Sequence, residues 1–406
     1  MLLKVTKLST GLKLSQMNKL KIYNGYIITP FENLGLGTVL AVDGKITAVE
    51  RGDTEVSGYE EIDAKKNYIS PGFIDLHTHG GANHDFMDCS VDGFLQIARM
   101  HAAHGTTLLF PTTLAGDQSE LYSFFDTYEE ANKLNNRGAR FGGIHLEGPY
   151  FSYNNRGAQD PKYLRNPDPA EYMEVLGKNK NIVRWSIAPE LAGAIDFGKT
   201  LTEMGILPSI AHTDAIYEEV LTAFKAGFTH MTHFYSCMNG ITRRNAFRYA
   251  GCIEAGYLLD GMTVEIIADG IHVPEPLMRL IYKIKGADNI ALVTDSMRGA
   301  GMPDGRSILG SLQKGQDVII EDGVAKLPDR TAFAGSVATT DLLVRNMINI
   351  GGISLTDSIR MATSTPALIA NIAARKGRIA VGYDADIVIF NSNIEVQSTI
   401  IEGKLI

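Results

Sequence analysis

Between residues 72 and 294 the chain presents eight short apolar, β-prone runs, most of them separated by amphipathic or helix-forming stretches. The runs cover 72–76, 106–110, 141–146, 182–187, 207–211, 230–233, 263–267 and 290–294, and the stretches at 91–104 and 217–226 read as helices between them. Parallel strand neighbours need a crossover connection, so this alternation specifies a parallel α/β architecture. Eight units fit a (β/α)8 TIM-like barrel, a fold whose chemistry sits at the C-terminal ends of the strands. Residues 299–337 break the rhythm with glycine-rich, strand-like pieces, which reads as a hairpin insertion over the barrel mouth.

Both flanks have another texture. From residue 20 to about 69 short alternating strands are broken by turns, with Asp43-Gly44 as a tight hairpin turn. The same texture returns over 386–390 and 396–401. Neither piece alone can bury a core. The expectation is one small β-sandwich domain built from both termini, 17–70 and 376–406, around a barrel spanning 71–375. Two unrelated flaps would be the alternative. The residues ahead of Met17 are basic but lack the continuous apolar core of a signal peptide, and Met17 is a natural alternative start.

With 45% hydrophobic and 21% charged residues, the 406-residue chain has the composition of an ordinary globular protein. A formal charge of −8 argues against nucleic acid or an anionic membrane surface as partner. No apolar run approaches the length of a membrane span. Cys89, Cys237 and Cys252 are scattered without metal-finger spacing, which suits a reducing, cytoplasmic location.

The strand ends carry the chemistry. The first run closes on His77-Thr78-His79-Gly80-Gly81. Strand alternation turns His77 and His79 to one side, where they can grip one ion, and Asp75 should share that side as a hydrogen-bond acceptor for an imidazole. The third run ends His145-Leu146-Glu147-Gly148-Pro149, with Glu147 nearest the mouth, able to bind one metal, bridge two, or merely close a turn. His212 and His233 end the fifth and sixth runs. Two imidazoles and one carboxylate with a position left for water form a familiar catalytic zinc arrangement. Three residues before His233, His230 is expected on the opposite face. His101 and His104 suit a helix C-terminus and read as structural, and His84 can be either. After the seventh run, His272 lies on a loop, where it can polarise a carbonyl or bind an anion. Asp295 follows the eighth run and is placed either to shuttle a proton or to cap a helix.

Six pieces, Pro71 to Asp75, His145 to Pro149, Ala211 to Asp214, Thr232 to Tyr235, Ala268 to His272, and Thr294-Asp295, occur in one order along the chain. Together they resemble the amidohydrolase superfamily, most closely its N-acetylglucosamine-6-phosphate deacetylase branch. The resemblance implies a metal-dependent enzyme that removes acetate from an N-acetylated amino-sugar phosphate. It implies Glu147, His212 and His233 as ligands of the catalytic metal, Asp295 as general base and acid, and His272 as the residue orienting the acetyl carbonyl. His77 and His79 are both present, which suits the two-metal type, so one or two divalent ions are expected per subunit. Zinc is the first choice and iron the alternative, since imidazole and carboxylate accept both. The segment Ser236-Cys237-Met238-Asn239 resembles a loop that meets the sugar phosphate, although Asn-Ala is usual at Ser236-Cys237. Arg244 resembles a phosphate-binding arginine that in relatives reaches across a dimer, so a homodimer is expected. Ala158 in Gly157-Ala158-Gln159, and Phe333, Ala334 and Gly335, resemble further substrate contacts, with Gln159 standing where a histidine is common. Another amidohydrolase, such as a D-aminoacylase or cyclic amidase, is the alternative. A non-catalytic member would lack ligands, and none of the main set is missing here.

Overall fold

The computed structural model describes residues 17–406, apart from the side chain of Arg244. The expected extension ahead of Met17 lies outside the described residues. The eight runs all form strands, at Phe73–Thr78, Thr106–Pro111, Ile144–Glu147, Ile182–Ile187, Leu207–Ile210, His230–Met231, Thr263–Ile266 and Ile290–Leu292. The last six pair as one parallel sheet, and the first two pair with the short strand Arg140–Phe141 as another. Parallel bridges between Thr112 and His145 and between Thr78 and Ser296 join the two sheets at both seams, giving a TIM-like barrel.

The third run is split where the sequence suggested continuity. Gly143 adopts φ +130°, and a Cβ on Gly142 would stand 2.5 Å from the Phe110 ring, so the chain needs glycine to pass this neighbour. Helices cover the outer face: Phe94, Ile97 and Ala98 of the helix Val91–Ala103 share a buried cluster with Leu109 and Phe141. Inside, Ile74, Leu76, Leu108, Phe110, Ala291 and Val293 fill the barrel below its mouth. No helix among the described residues is long and apolar enough to cross a membrane.

Strands from both flanks pair in the small domain. Tyr68–Pro71 runs antiparallel to Ile387–Phe390 with Ile69 opposite Ile389, and Lys19–Ile28 joins it on the other side. The eight strands form one continuous sheet rather than two separately bonded layers. That sheet rolls up: the Ile46 N–H donates to Tyr383 O at 2.9 Å and the Ala385 N–H to Gly44 O at 2.8 Å, bringing one edge against the other half. Ile22, Val39, Ile46, Ile69, Ile387 and Ile400 form its own core. Gly72 alone separates Pro71 from Phe73, so the first barrel strand is anchored directly to this sheet.

The insertion forms a four-stranded antiparallel sheet of Gly305–Leu309, Gln316–Glu321, Val324–Lys326 and Phe333–Ser336. Backbone bonds from Ser336 N–H to Asp295 O at 2.8 Å and from Met297 N–H to Ser336 O at 2.9 Å fasten it to the eighth strand.

Candidate metal centre and active site

At the barrel mouth Glu147 is the hub. Its Oε1 lies 3.1 Å from His233 Nε2 and 3.5 Å from both His77 Nε2 and His212 Nε2, while its Oε2 lies 3.5 Å from His79 Nε2. Asp295 Oδ1 closes the opposite side, 3.1 Å from His79 Nε2 and 3.3 Å from His77 Nε2. All six side chains are buried. His212, His233 and Asp295 reach the mouth through an unusual backbone, with φ of +46°, +29° and +46°. Non-glycine residues rarely adopt positive φ, and here the turn redirects each side chain just as its strand ends.

The arrangement demands a positive charge. His212 Nδ1 donates to Asn155 O at 2.9 Å and His79 Nδ1 to Thr112 O at 3.2 Å, because a carbonyl only accepts. His77 Nδ1 faces Glu265 Oε2 at 3.4 Å. In neutral imidazoles bonded this way the Nε2 lone pairs converge on two carboxylates, and His77 Nε2 stands 3.1 Å from His79 Nε2. Two sets of donor atoms lie within 4.8 Å of one another: His77, His79 and Glu147, and Glu147, His212 and His233. The donor chemistry fits a divalent metal. The ionisation of the groups expresses the same demand. Burial opposes the charge on Glu147, yet His77, His212 and His233 hold it well below the usual carboxylate range. Burial likewise opposes protonation of His79, but Asp295 and Glu147 raise it to about 9. His212 is also held well above its ordinary value, against burial, by Cys237 and Glu147.

Two expectations are corrected. The Asp75 carboxylate accepts from no imidazole: register breaks between Asp75 and Thr78, and the carboxylate accepts from Thr294 N–H at 3.1 Å, Thr294 Oγ1 at 2.6 Å and the His77 backbone N–H at 3.3 Å. A bulge of this kind reverses the alternation that single-strand parity assumes. His230 does not face away from the barrel interior. It lies 3.3 Å from Glu265 Oε1, and the positive φ at His233 is what separates the two histidines. Of the two readings of Asp295, the helix cap is not realised, since the insertion and no helix follows it. His101 is buried against Gly80 O, Thr78 Oγ1 and Ser296 Oγ, and His104 Nδ1 bonds Asp341 Oδ1 at 3.1 Å.

The sequence reading missed the support beneath the histidines. Arg184 is buried inside the barrel, bonded to Glu265 and donating to Ser209 Oγ at 2.9 Å and Thr232 Oγ1 at 2.6 Å. Glu265 in turn faces His77, His230 and the His233 N–H. Opposite charges inside two otherwise apolar runs, Ile182-Val183-Arg184-Trp185 and Thr263-Val264-Glu265-Ile266, were a legible sign, because a lone buried charge is costly.

Above the centre opens a cavity of about 240 Å³. His79, Glu147, His212, His233 and Asp295 form its floor; Ala158, Ser236, Cys237, His272, Phe333 and Gly335 line its walls. The His272 Nδ1 bonds Asp269 Oδ2 at 2.6 Å, leaving Nε2 for a ligand, and its ring packs 4.6 Å from that of Phe333. Asp269 also accepts the His272 N–H at 2.7 Å. Ala334 is not a wall residue. It alternates away from the cavity into the insertion's core with Met297, Leu309 and Val318. Arg244 ends the strand Thr242–Arg244 of an outlying hairpin, and its side chain lies outside the described residues.

Comparison with known proteins gives a consistent context. The amidohydrolase family model matches residues 68–406. An N-acetylglucosamine-6-phosphate deacetylase of Lysinibacillus sphaericus is 32% identical over 372 residues, 89% of this chain and 91% of that protein. An N-acetylgalactosamine-6-phosphate deacetylase of Escherichia coli O157:H7 is also 32% identical, over 89% of this chain and 93% of its own. Among solved structures, a variant N-acetyl-D-glucosamine-6-phosphate deacetylase from Mycobacterium smegmatis in complex with N-acetyl-D-glucosamine-6-phosphate superposes with a TM-score of 0.86 at 28% identity, covering 96% of this chain and 99% of that one. The chain therefore belongs to the amidohydrolase family, within its amino-sugar-phosphate deacetylase branch.

Proposed function

We propose that the chain hydrolyses the acetamide of N-acetyl-D-glucosamine 6-phosphate, releasing acetate and D-glucosamine 6-phosphate. The observation that carries this reading is the meeting of Glu147, His212, His233, Asp295 and His272 in one cavity. Glu147, His212 and His233 would hold a divalent ion, zinc first and iron as alternative, with His77 and His79 offering a second position through Glu147. A bound ion supplies Lewis-acid polarisation of the acetyl carbonyl and acidifies water.

The chain's own residues carry the proton. Asp295 is held below the usual carboxylate range despite burial, by His77, His79 and His233, so it is ionised and ready to accept a proton from the attacking water. It returns that proton to the departing amine nitrogen. His272, oriented by Asp269, faces through Nε2 the oxygen that becomes an oxyanion and helps to place the acetyl carbonyl. Ala158, Ser236, Cys237, Phe333 and Gly335 enclose the sugar, and Arg244 meets the phosphate. Exposed Ile241 and Phe247 flank Arg244, which supports a homodimer contact at this hairpin. We read the bridged sheets as one (β/α)8 barrel over 71–375, the rolled sheet of 17–70 and 376–406 as a sandwich-like domain, and the enzyme as cytoplasmic.

A second reading is the galactosamine epimer, favoured by the Escherichia coli relative of equal identity. Acetate release from both N-acetylated 6-phosphates and from unphosphorylated N-acetylglucosamine, with metal content measured on the same sample, decides. Preference for the phosphorylated glucosamine is expected. Preference for the other epimer would move the substrate, and activity on none of the three with metal bound would return it to the aminoacylase and cyclic-amidase class.

A further inference from the structure

Gln159 is buried beside Glu147 and has no part in the chemistry above. Its amide can point only one way. Oε1 accepts the Ala115 N–H at 2.9 Å, which leaves Nε2 to donate to Glu147 Oε2 at 2.8 Å. The two oxygens of Glu147 are therefore unlike. Oε1 faces His77, His212 and His233, whereas Oε2 faces His79 alone and already carries the Gln159 N–H. A hydrogen bond takes up one lone-pair direction of a carboxylate oxygen and withdraws charge from it. Of the two donor sets, only that of His77, His79 and Glu147 includes a histidine that faces Oε2.

We infer that Gln159 is a positioning residue for metal occupancy. It turns Glu147 to serve one ion through Oε1 with His212 and His233, and it weakens a second ion at His77 and His79. This rests on the reading of Glu147 as a metal ligand. A Gln159 that only braces the loop through Ala115 would change stability without changing the ratio of the two metal affinities.

The test is a titration of metal-depleted protein with Zn²⁺ against a chromogenic chelator, giving two stepwise constants, with zinc per chain measured after dialysis. Two variants remove the donor. Gln159→Leu deletes the amide, and Gln159→Glu keeps the acceptor for Ala115 while placing an oxygen against Oε2. In each, the gap between the two constants should narrow by about tenfold or more, the scale of a hydrogen bond to a metal ligand, and the second equivalent should survive dialysis. An unchanged gap in either folded variant overturns the inference and leaves the metal reading standing. Wild-type protein that binds no zinc overturns both.

Discussion

Asp295 stands within 3.3 Å of two imidazoles and forms part of the cavity floor, so its substitution separates chemistry from metal binding. Asp295→Asn should retain metal yet lose about 10²–10⁴-fold in kcat, the range of general acid–base catalysis. Near-normal turnover would remove Asp295 from the mechanism. His101 makes a different prediction. Burial lowers its pKa to about 4, with a smaller contribution from His104, against an ordinary 6.5. The unfolded chain thus takes up a proton between those values that the folded chain refuses. Stability is full above pH 6.5 and falls by about 3 kcal/mol as the pH drops towards 4. Urea midpoints measured across that window should fall for the wild type and flatten for His101→Gln; parallel curves would assign the loss elsewhere. At this scale the sequence was most legible where chemistry is rare. Glu147, His212, His233 and Asp295 stood out because a His, Glu or Asp ending an apolar run has few structural uses. The brace that Gln159 makes between Ala115 and Glu147 was not legible, because it depends on where a loop brings three separate segments together.

At the scale of elements, the decisive events are departures from regular strand geometry. The break between Asp75 and Thr78 and the positive φ at His212, His233 and Asp295 all lie within a residue or two of a donor atom. Strand periodicity located the runs, but parity could not say which side a residue faces after a bulge. The insertion was legible as strands and glycines, and its seat over the mouth depends on a residue that its sequence did not advertise. Arg298 is buried, pairs with Asp88 through Nη1 at 2.9 Å and Nη2 at 2.7 Å, and donates to Gly310 O at 2.8 Å. Its fork ties the insertion to the loop after the first strand. Arg298→Ala leaves the half-buried Asp88 without its cation, holding only the N–H groups of Asp85 and Leu312. The expected cost is about 3 kcal/mol by urea unfolding, the low end for breaking a buried pair, with a rise in KM as Phe333 and Gly335 lose their seat. A change below about 1 kcal/mol, typical of an exposed pair, would show that the contact is not structural.

For the whole molecule, metal and fold are linked. Four imidazoles and two carboxylates converge only in the folded chain, so any ion bound there stabilises the folded state alone. Zinc at a hundred times its dissociation constant should add about 2.7 kcal/mol, read as a drop in Tm on chelation that is reversed by re-addition; an unchanged Tm would place the metal elsewhere. Architecture was the most legible level, because strand–helix alternation leaves few topologies. That both flanks meet in one small β domain was expected from size, because neither piece can bury a core alone, whereas its continuous rolled sheet depends on pairings that no local pattern encodes. This sheet also orders events during synthesis. Tyr68–Pro71 emerges from the ribosome more than three hundred residues ahead of its partner Ile387–Phe390. At ordinary translation speeds that interval is on the order of 15–60 s. Throughout it an apolar strand edge, fused to the first barrel strand, is open to any neighbouring chain until Ile387–Phe390 arrives to cover it.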